Sequence, residues 1–303
     1  MTAAHNILLI GGSGFVSGTL ARLAVGAGHT VTAVTRGQRD LPGGVRSLVA
    51  DRKERAAFAT AVRRASTHWD LVVDCIGFGP DDTRQDVELF RDRASHLVFI
   101  SSDFVYDPDK RHLPQGEDDA AYLSDGYGGK KRQAELVLAE ADTGEMDWTV
   151  LRPCHIYGPG SLLGCLPEHG RDPELIERLR SGEALRLVGG GHYLQQPILA
   201  ADLARTILSC ADNPGARGQI CNVSGPTVVE SWQYYQIIAD ILGVPLRVEE
   251  LSVAEYRKAN PDRASFLCHR IYDLGQLAAC GLHIPDTPLA DGLQTHVASM
   301  LAD

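Results

Sequence analysis

A tyrosine and a lysine four residues apart are the first candidates for chemistry in this sequence. Tyr127 and Lys131 belong to the segment Tyr-Gly-Gly-Lys-Lys, and a spacing of four places two side chains on one face of a helix. A lysine ammonium beside a phenol favours the phenolate, so the pair predicts a lowered pKa for Tyr127, from an ordinary value of about 10. Such a phenol can exchange a proton with a hydroxyl or carbonyl group. Only five of the 29 basic residues are lysines, which makes a lysine at this place informative.

Two serine hydroxyls form a second candidate group. Ser101 and Ser102, followed by Asp103, come directly after the apolar run 96–100, which is typical of a short buried strand. In open α/β sheets, ligands bind beyond the carboxyl ends of the strands. These side chains are therefore expected to lie at a ligand site.

A glycine-rich segment near the start predicts nucleotide binding. The apolar run 7–10 leads into Gly11-Gly-Ser13-Gly14-Phe15-Val16-Ser-Gly and then into a helical pattern. Glycines let the backbone approach a pyrophosphate, and a helix N-terminus supplies amide donors and a positive dipole end. By itself the pattern also fits a tight turn. After the first strand of an alternating chain, it predicts a dinucleotide site formed by Gly11, Ser13, Gly14, Phe15 and Val16.

The residue after the second strand distinguishes the two nicotinamide dinucleotides. An acidic side chain there would bind the ribose 2′-hydroxyl of NAD, whereas an arginine accommodates the 2′-phosphate of NADP. Arg36 occupies this place and Arg39 is close in sequence, so NADP is the predicted cofactor and NAD the alternative. Asp51, after the third strand, either reaches the adenine amino group or caps the next helix.

The elements that must position these residues alternate along the first half. Apolar runs predict strands at 6–10, 30–35, 47–49, 71–76, 96–100 and 149–151, and helical periodicity predicts helices at 14–27, 53–65, 82–93 and 130–141. This alternation predicts an α/β fold, a Rossmann-type doubly wound parallel sheet. We expect residues 1–152 to form the dinucleotide-binding domain, with 199–225 returning to it, and 153–303 to form mostly a smaller substrate lobe, with helices at 174–180, 202–211 and 231–242 and a strand at 219–223.

Composition excludes several classes of protein. The net charge is −10 with no basic block, which argues against nucleic-acid binding. No apolar run is long enough to span a membrane, and the first residues lack the pattern of a signal peptide. The seven cysteines are scattered without a Cys-x-x-Cys pair, so we expect no disulfide framework, no metal site and a cytoplasmic location.

Taken together, the motifs resemble the extended short-chain dehydrogenase/reductases, the NAD(P)-dependent epimerase/dehydratase family. The resemblance covers nearly the whole chain through the glycine loop, Ser101-Ser-Asp-Phe-Val-Tyr106, the Tyr127/Lys131 pair, Leu151-Arg-Pro153, Tyr157-Gly-Pro159 and Asp202-Leu-Ala204. It implies that Ser102 hydrogen-bonds the reacting oxygen and Tyr127 exchanges its proton. Lys131 would hold the nicotinamide ribose and tune Tyr127, while Gly77 and Pro153 would lie against the cofactor. A homodimer through the helix bearing Tyr127 and the helix at 82–93 is implied by analogy.

Four departures from the family pattern bear on the substrate. Ser17 replaces the third glycine of the loop, and a small residue there still allows helix packing. Phe104 stands where sugar dehydratases carry a glutamate base, so Asp103 alone would have to donate a proton.

The other two departures lie in the substrate lobe. Gln195 replaces an arginine that grips the pyrophosphate of nucleotide sugars, unless Arg171, Arg178 or Arg186 substitutes for it. His155 replaces a substrate-binding asparagine and is either a second acid/base or a structural histidine. Asp103, His155 and Gln195, with Ser102, are thus the predicted substrate contacts.

Three functions remain open on the sequence. The leading one is an NAD(P)-dependent oxidoreductase or epimerase that moves hydride between nicotinamide and a sugar-like hydroxyl or ketone. The second is a ketoreductase of a non-sugar biosynthetic intermediate. The third is a non-catalytic NADP-binding sensor or RNA-associated protein, which the presence of Ser102, Tyr127 and Lys131 disfavours.

Overall fold

The structure, a computed structural model, describes residues 4–302. This range contains thirteen strands: β1 (Asn6–Ile10), β2 (Thr30–Thr35), β3 (Arg46–Val49), β4 (Trp69–Asp74), β5 (Ala94–Ile100), β6 (Asp147–Pro153), β7 (Ile156–Tyr157), β8 (Leu185–Val188), β9 (Leu194–Gln195), β10 (Ile198–Leu199), β11 (Gln219–Val223), β12 (Val229–Glu230) and β13 (Val248–Leu251). The same range contains ten α-helices: α1 (Phe15–Gly26), α2 (Arg55–Ala65), α3 (Pro80–Phe90), α4 (Gly126–Glu140), α5 (Leu175–Ser181), α6 (Ala200–Leu208), α7 (Ser231–Leu242), α8 (Val253–Ala259), α9 (Gly275–Ala279) and α10 (Leu289–Ala302).

Seven strands form one parallel sheet in the order β11-β6-β5-β4-β1-β2-β3. The chain builds outward from β1 to β3 and then crosses back to β4, so the strand order reverses between β1 and β4. That reversal opens a crevice at the carboxyl ends of the strands, the usual ligand position in such sheets. The predicted Rossmann-type doubly wound fold is confirmed, and the strand predicted at 219–223 is β11, which pairs with β6 at the sheet edge.

The central strands of the sheet are buried on both faces because their residues are mostly apolar, whereas the edge strand β3 is largely exposed. Ile7 and Leu9 of β1 point into a core shared with α1 and α6, whereas Leu8 and Ile10 point into a core shared with α2, α3 and α4. Each such side chain contributes about 1.5–3 kcal/mol when fully buried. This two-sided burial explains why the strands appear in the sequence as continuous apolar runs rather than as alternating ones.

A third core lies in the second half of the chain. Side chains of α5, β8, α7 and α10 pack together there, around Leu175, Leu185, Tyr234 and Leu293. Short strand pairs, β7 with β10, β9 with β12 and β8 with β13, accompany it. The domain boundary at residue 152 stays a prediction. Helix α6 follows it in sequence but packs on α1, whereas α5 and α7, on either side of α6 in the chain, belong to the third core.

The helix that carries the tyrosine–lysine pair begins four residues earlier than the predicted start at 130. Gly128 and Gly129 weaken the helical signal in sequence, yet both are required by packing. A Cβ atom on Gly128 would lie 1.9 Å from the Phe104 carbonyl oxygen, and one on Gly129 would lie 2.5 Å from the Ser124 carbonyl carbon. The first turn of α4 therefore sits directly on the segment that follows β5.

Other predicted elements differ mainly at their ends. For example, α2 begins at Arg55 rather than 53, α3 spans Pro80–Phe90 rather than 82–93, and β6 runs from Asp147 to Pro153. None of the helices within residues 4–302 combines the length and apolarity that crossing a bilayer requires.

Candidate active site

Two pockets, of about 470 and 550 Å³, follow the carboxyl edge of the sheet. The first, here called the adenosine-side pocket, lies beyond β1, β2 and β3. The second, here called the reaction pocket, lies beyond β4, β5 and β6. Gly14, Ser17, Ile76 and Phe78 line both of them, so the two pockets form one groove across the reversal in strand order.

The glycine loop forms the floor where the two pockets meet. Gly11 and Gly12 have φ angles of 108° and 134°, in the left-handed region that favours glycine. The Ser17 hydroxyl oxygen accepts hydrogen bonds from the amides of Gly12 (3.0 Å) and Gly14 (3.2 Å). Ser17 thus stabilises the loop from within. Its replacement of the third glycine adds a contact without closing the pocket.

Four cationic side chains line the adenosine-side pocket, and one of them, Arg52, is already paired with the buried Asp74 and Asp86. Arg36 and Arg39 line it together with Lys53, which the sequence analysis did not single out. Asp51 also lines it, and its carboxylate accepts a hydrogen bond from the Lys53 amide at 2.9 Å. Asp51 therefore caps the turn before α2 while facing the pocket, so both roles considered for it are compatible with the structure.

The reaction pocket brings Ser102, Tyr127 and Lys131 together from β5 and α4. Ser102 is buried, and its hydroxyl oxygen accepts a hydrogen bond from the Phe104 amide at 3.2 Å. Tyr127 keeps 49% of its surface exposed, at the mouth of the pocket. The three residues predicted to be catalytic thus line one cavity.

Lys131 does not lower the pKa of Tyr127, contrary to the expectation from their spacing. The Lys131 Nζ donates hydrogen bonds to the carbonyl oxygens of Gly77 and Ile100, both at 2.6 Å, and lies 6.0 Å from the centre of the Tyr127 ring. The pKa of Tyr127 is raised by burial and by the Asp103 carboxylate, although hydrogen bonding with Ser102 opposes the rise. Tyr127 is therefore a protonated phenol in the unliganded protein.

Asp103 is held as an ion in a buried cluster rather than poised to donate a proton. Its carboxylate accepts hydrogen bonds from Arg270 and Tyr272, and Arg111 lies 3.6 Å away. Burial by itself would raise the pKa of Asp103, but the two arginines and the tyrosine bring it below its ordinary value. Dehydration chemistry with Asp103 as acid is therefore disfavoured, as Phe104 already indicated.

Arg270 is the functional candidate that the sequence analysis missed. It is buried, lines the reaction pocket and lies 4.3 Å above the Phe104 ring. An isolated bridge pairs its backbone with Gln195. A segment that is remote in sequence thus brings the Arg270 side chain close to Gln195, the position at which the family pattern places an arginine. The sequence marks Arg270 only weakly. It follows Cys268 and His269 and precedes Ile271, in a segment that otherwise looks like a loop.

Gln195 is not among the residues that line the reaction pocket, and its role as a substrate contact stays a prediction. It is buried in β9, which pairs with β12. Of the three arginines considered as substitutes, only Arg171 lines the pocket. Arg178 is paired with Glu174 and Glu183 instead, and Arg186 with Glu249.

His155 lines the reaction pocket beside Pro153, but it is uncharged. Burial lowers its pKa to about 4, and the nearby charges of Arg171 and Arg270 act in the same direction. His155 is therefore a neutral ring at physiological pH and not a proton donor. It can still offer a hydrogen bond to a substrate.

A sequence model described as "NAD dependent epimerase/dehydratase family" matches residues 7–224, well over half of the chain. The chain belongs to this family. The matched range contains the glycine loop, the Ser102, Tyr127 and Lys131 triplet, and β11.

Two curated relatives and one solved structure are similar to this family member. The "Chloroplast stem-loop binding protein of 41 kDa b" of Arabidopsis thaliana is 27% identical over 238 residues, covering 74% of this chain but only 59% of that relative. The "dTDP-4-dehydrorhamnose reductase" of Mycolicibacterium smegmatis is 25% identical over 321 residues, covering 98% and 86%. A UDP-glucose 4-epimerase of Thermotoga maritima, solved with UDP-glucose, has a TM-score of 0.80 at 17% identity, covering 98% and 99%, and shows the shared fold.

The groove fits the nicotinamide dinucleotide of the family. Glycine-loop amides and the N-terminus of α1, whose first turn has no acidic residue, face the position of a pyrophosphate. Arg36, Arg39 and Lys53 offer positive charge at one end, and Pro153 and Lys131 line the other. Gly77 lies against Asp74 and Phe99 and is not among the residues that line either pocket, but its carbonyl oxygen accepts a hydrogen bond from Lys131.

Proposed function

We propose that the protein is an NADP-dependent oxidoreductase that transfers hydride to or from a sugar-like hydroxyl or ketone. The observation that carries the proposal is the continuous groove, which has cations at its adenosine end and Ser102, Tyr127 and Lys131 at its other end. An epimerase of the same substrate class, with the cofactor regenerated in place, uses the same residues.

The proposed cofactor is NADP because of the charge at the adenosine end. Arg36 and Arg39 are exposed and free to turn toward a ligand, and Lys53 adds a third positive charge. A 2′-phosphate pairs well with such donors, since charge-assisted hydrogen bonds are roughly twice as strong as neutral ones. NAD remains the alternative, with Asp51 as the acidic partner for the adenosine.

Tyr127 and Ser102 would handle the oxygen of the substrate. When bound, the nicotinamide exchanges a hydride with the substrate carbon, and in its oxidised form its positive charge favours the Tyr127 phenolate. Ser102 donates a hydrogen bond to the reacting oxygen, and Tyr127 gives a proton to that oxygen as a ketone becomes an alcohol. Because the free Tyr127 is protonated, the protein is prepared for the reductive direction.

The substrate is proposed to carry an anionic group. Arg171 and Arg270 line the reaction pocket, and the carboxylate of Asp103 is offset by Arg270 and Arg111. Arg270 therefore supplies the positive charge that Gln195 lacks. A nucleotide sugar meets this requirement, in agreement with the dTDP-4-dehydrorhamnose reductase relative. A non-sugar ketone with an acidic group is the ketoreductase alternative.

Replacement of Tyr127 by phenylalanine tests the proposal. Wild-type protein is incubated with NADPH and a set of UDP- and dTDP-linked 4-keto and 4-hydroxy sugars, and NADPH absorbance and the sugar products are followed. Tyr127→Phe is expected to bind NADPH normally and to lose turnover by about 10²-fold or more. Unchanged turnover would remove Tyr127 from the mechanism. Product without net NADPH consumption would identify an epimerase.

RNA binding without catalysis is the competing function, and one observation supports it. The curated relative of Arabidopsis thaliana is named as a stem-loop binding protein, over the 59% of its length that the match spans. The net charge of −10 opposes it, because RNA affinity depends on positive charge. Electrophoretic mobility shift with a short stem-loop RNA at 50 and 150 mM salt distinguishes the two. Binding that persists at 150 mM salt, in a protein without turnover, would favour the RNA function.

Association into a homodimer through α3 and α4 is also proposed, by family analogy. These two helices pack against each other, and Leu136 of α4 keeps 37% of its surface exposed. Light scattering after gel filtration, on wild type and Leu136→Glu, tests it. A dimer that Leu136→Glu converts to monomer supports this contact.

A further inference from the structure

Lys131 is a buried cation, and none of the carboxylates within residues 4–302 is bound directly to it. The side chain keeps only 3% of its surface exposed. Its Nζ donates to the carbonyls of Gly77 and Ile100, and the rings of Phe78, Phe99 and Tyr127 surround it at 5.4, 4.8 and 6.0 Å. Carbonyls and rings carry no net charge, and a buried ammonium requires an anion nearby to remain ionised.

A buried carboxylate lies behind the loop that Lys131 contacts. Asp74, the last residue of β4, is completely buried. One of its carboxylate oxygens accepts the Ile76 amide at 2.9 Å. The other lies against Gly77 so closely that a Cβ on this glycine would be 2.2 Å from it. Asp74 thus fixes the loop whose Gly77 carbonyl receives Lys131.

Asp74 is itself held in the ionised form by Arg52. The Arg52 guanidinium donates to Asp74 at 2.8 Å and to a second buried carboxyl, Asp86 of α3, at 2.9 Å. One guanidinium neutralises only one of the two carboxylates. Burial and the neighbouring Asp74 raise the pKa of Asp86 well above its ordinary value, whereas the pKa of Asp74 is lowered by Arg52 against the effect of burial. These opposite directions favour the proton on Asp86 and the negative charge on Asp74.

We infer that Asp74 is a positioning residue for Lys131: its buried carboxylate fixes the Gly77 carbonyl on the ammonium and supplies the anion that keeps Lys131 charged. The relation to catalysis rests on the proposed function, whereas the charge relation belongs to the fold alone. Arg52 and Asp86 act through Asp74, so the β3–α2 turn, β4 and α3 together determine the state of one lysine.

The groups that face Lys131 leave Asp74 as its main anion. Burial lowers the pKa of Lys131 to about 8, and among the groups that oppose this lowering Asp74 acts most strongly, ahead of Cys75, Glu135 and Asp82. Glu135, on α4 itself, already accepts hydrogen bonds from Arg152 and Arg132. Asp82 of α3 is partly exposed, which weakens its effect through solvent screening.

The scarcity of lysine makes a direct test practical. Protein labelled with ¹³C at lysine Cε gives five signals, one for each lysine of the sequence, and the Lys131 signal is identified by its loss in Lys131→Arg. We expect the wild-type Lys131 signal to titrate near pH 8. In Asp74→Asn, which keeps the shape but loses the charge, the midpoint is expected to fall by about one pH unit or more.

Asp86→Asn is the matched control. It alters a buried carboxyl on the same guanidinium but removes no negative charge if the proton resides there, so the Lys131 midpoint should stay at its wild-type value. An unchanged midpoint in Asp74→Asn, or an equal fall in both variants, overturns the inference. If Asp74→Asn does not fold by circular dichroism, Asp74→Ser, which leaves space for water, replaces it with the same expectation.

The titration needs no turnover, so it separates the two proposals. A lowered Lys131 midpoint in Asp74→Asn, together with no turnover of any sugar by wild type, retains the charge relation and rejects the proposed reaction. Turnover in the wild type, together with an unchanged Lys131 midpoint in Asp74→Asn, retains the proposed reaction and rejects the charge relation. Where both hold, the alkaline limb of kcat/KM in Asp74→Asn moves to lower pH by the same amount as the midpoint, while the limb in Asp86→Asn does not.

Discussion

Glu135 of α4 links this helix to the end of β5 and to β6, and its neutralisation is a severe test of the structure. One oxygen accepts the Ser101 hydroxyl at 2.6 Å and Arg152 Nε at 3.0 Å. The other accepts Arg152 Nη2 at 2.7 Å and Arg132 Nη1 at 2.9 Å. Glu135 and Arg152 are 0% and 1% exposed, so β5, α4 and β6 meet at a completely buried ion pair.

Glu135→Gln is expected to destabilise the fold by about 3–5 kcal/mol, the usual cost of leaving a buried charge uncompensated. Glutamine keeps one acceptor oxygen but turns an amide donor toward the donors of Arg152. The remaining partners of Arg152 are the hydroxyls of Tyr106 (2.8 Å) and Tyr122 (3.4 Å), which carry no negative charge. Because whole domains are stable by about 5–15 kcal/mol, a large part of the total would be lost.

Urea unfolding followed by circular dichroism measures this loss. Asp142→Asn is the matched control, because it removes a carboxylate from an ion pair with Arg91 that is also 2.9 Å long but lies at the surface. The control is expected to unfold at the same urea concentration as the wild type. If Glu135→Gln unfolds at the same urea concentration as Asp142→Asn, the argument about buried charge is refuted. A double variant, Glu135→Leu with Arg152→Met, should recover part of the lost free energy of unfolding.

Three further predictions concern the cofactor, a loop and pH. Arg36→Ala should weaken NADPH binding by about tenfold more than NADH binding, since a hydrogen bond to a charged group contributes about 1.5–3 kcal/mol; an equal loss for both in fluorescence titrations contradicts the 2′-phosphate role. Gly77→Ala should weaken binding of both nucleotides and lower the melting temperature, because the new Cβ would lie 2.2 Å from Asp74 and 2.8 Å from Phe99. Gly43→Ala is the control: its Cβ would have no atom within 4 Å, so its melting temperature should equal that of the wild type. Burial lowers the pKa of His96 to about 4, so the unfolded chain binds more protons between pH 6.5 and 4 and stability should fall on acidification through that window. His96→Asn should reduce this slope in urea titrations at pH 7 and pH 5; an unchanged slope would show that His96 is not the group responsible.

The sheet and the convergence of Ser102, Tyr127 and Lys131 on one pocket were predictable because their signals are local. Buried parallel strands appear as continuous apolar runs, and β1, β2, β11 and α7 begin and end at the predicted residues. Tyr127 and Lys131 are one helical turn apart, so their proximity follows from spacing alone. Their electrostatic relation does not follow from spacing, because Lys131 donates its hydrogen bonds to Gly77 in the loop after β4 and to Ile100 at the end of β5.

The substrate side was less predictable because long-range packing decides it. Arg270 reaches Asp103 across 167 residues, and no local pattern marks an arginine for burial in that segment. Gln195 was predicted as a contact from the family register, yet β9 turns its side chain into the interior. The identity of the substrate depends on this same region, where Arg171, His155 and Arg270 come from three separate segments.

The contacts of Asp103 with the distant Arg270 and Tyr272 also have a consequence for folding during synthesis of the protein. Strands β1 to β6 and the nucleotide groove leave the ribosome well before the segment that carries these two partners, which then docks through the isolated bridges of Gln195 with Arg270 and of Gln115 with Tyr272. Of the two arginines that pair with Asp103 in the described part of the chain, Arg111 is the one that precedes this segment. The substrate side can therefore be completed only after the segment that carries Arg270 and Tyr272 has been synthesised.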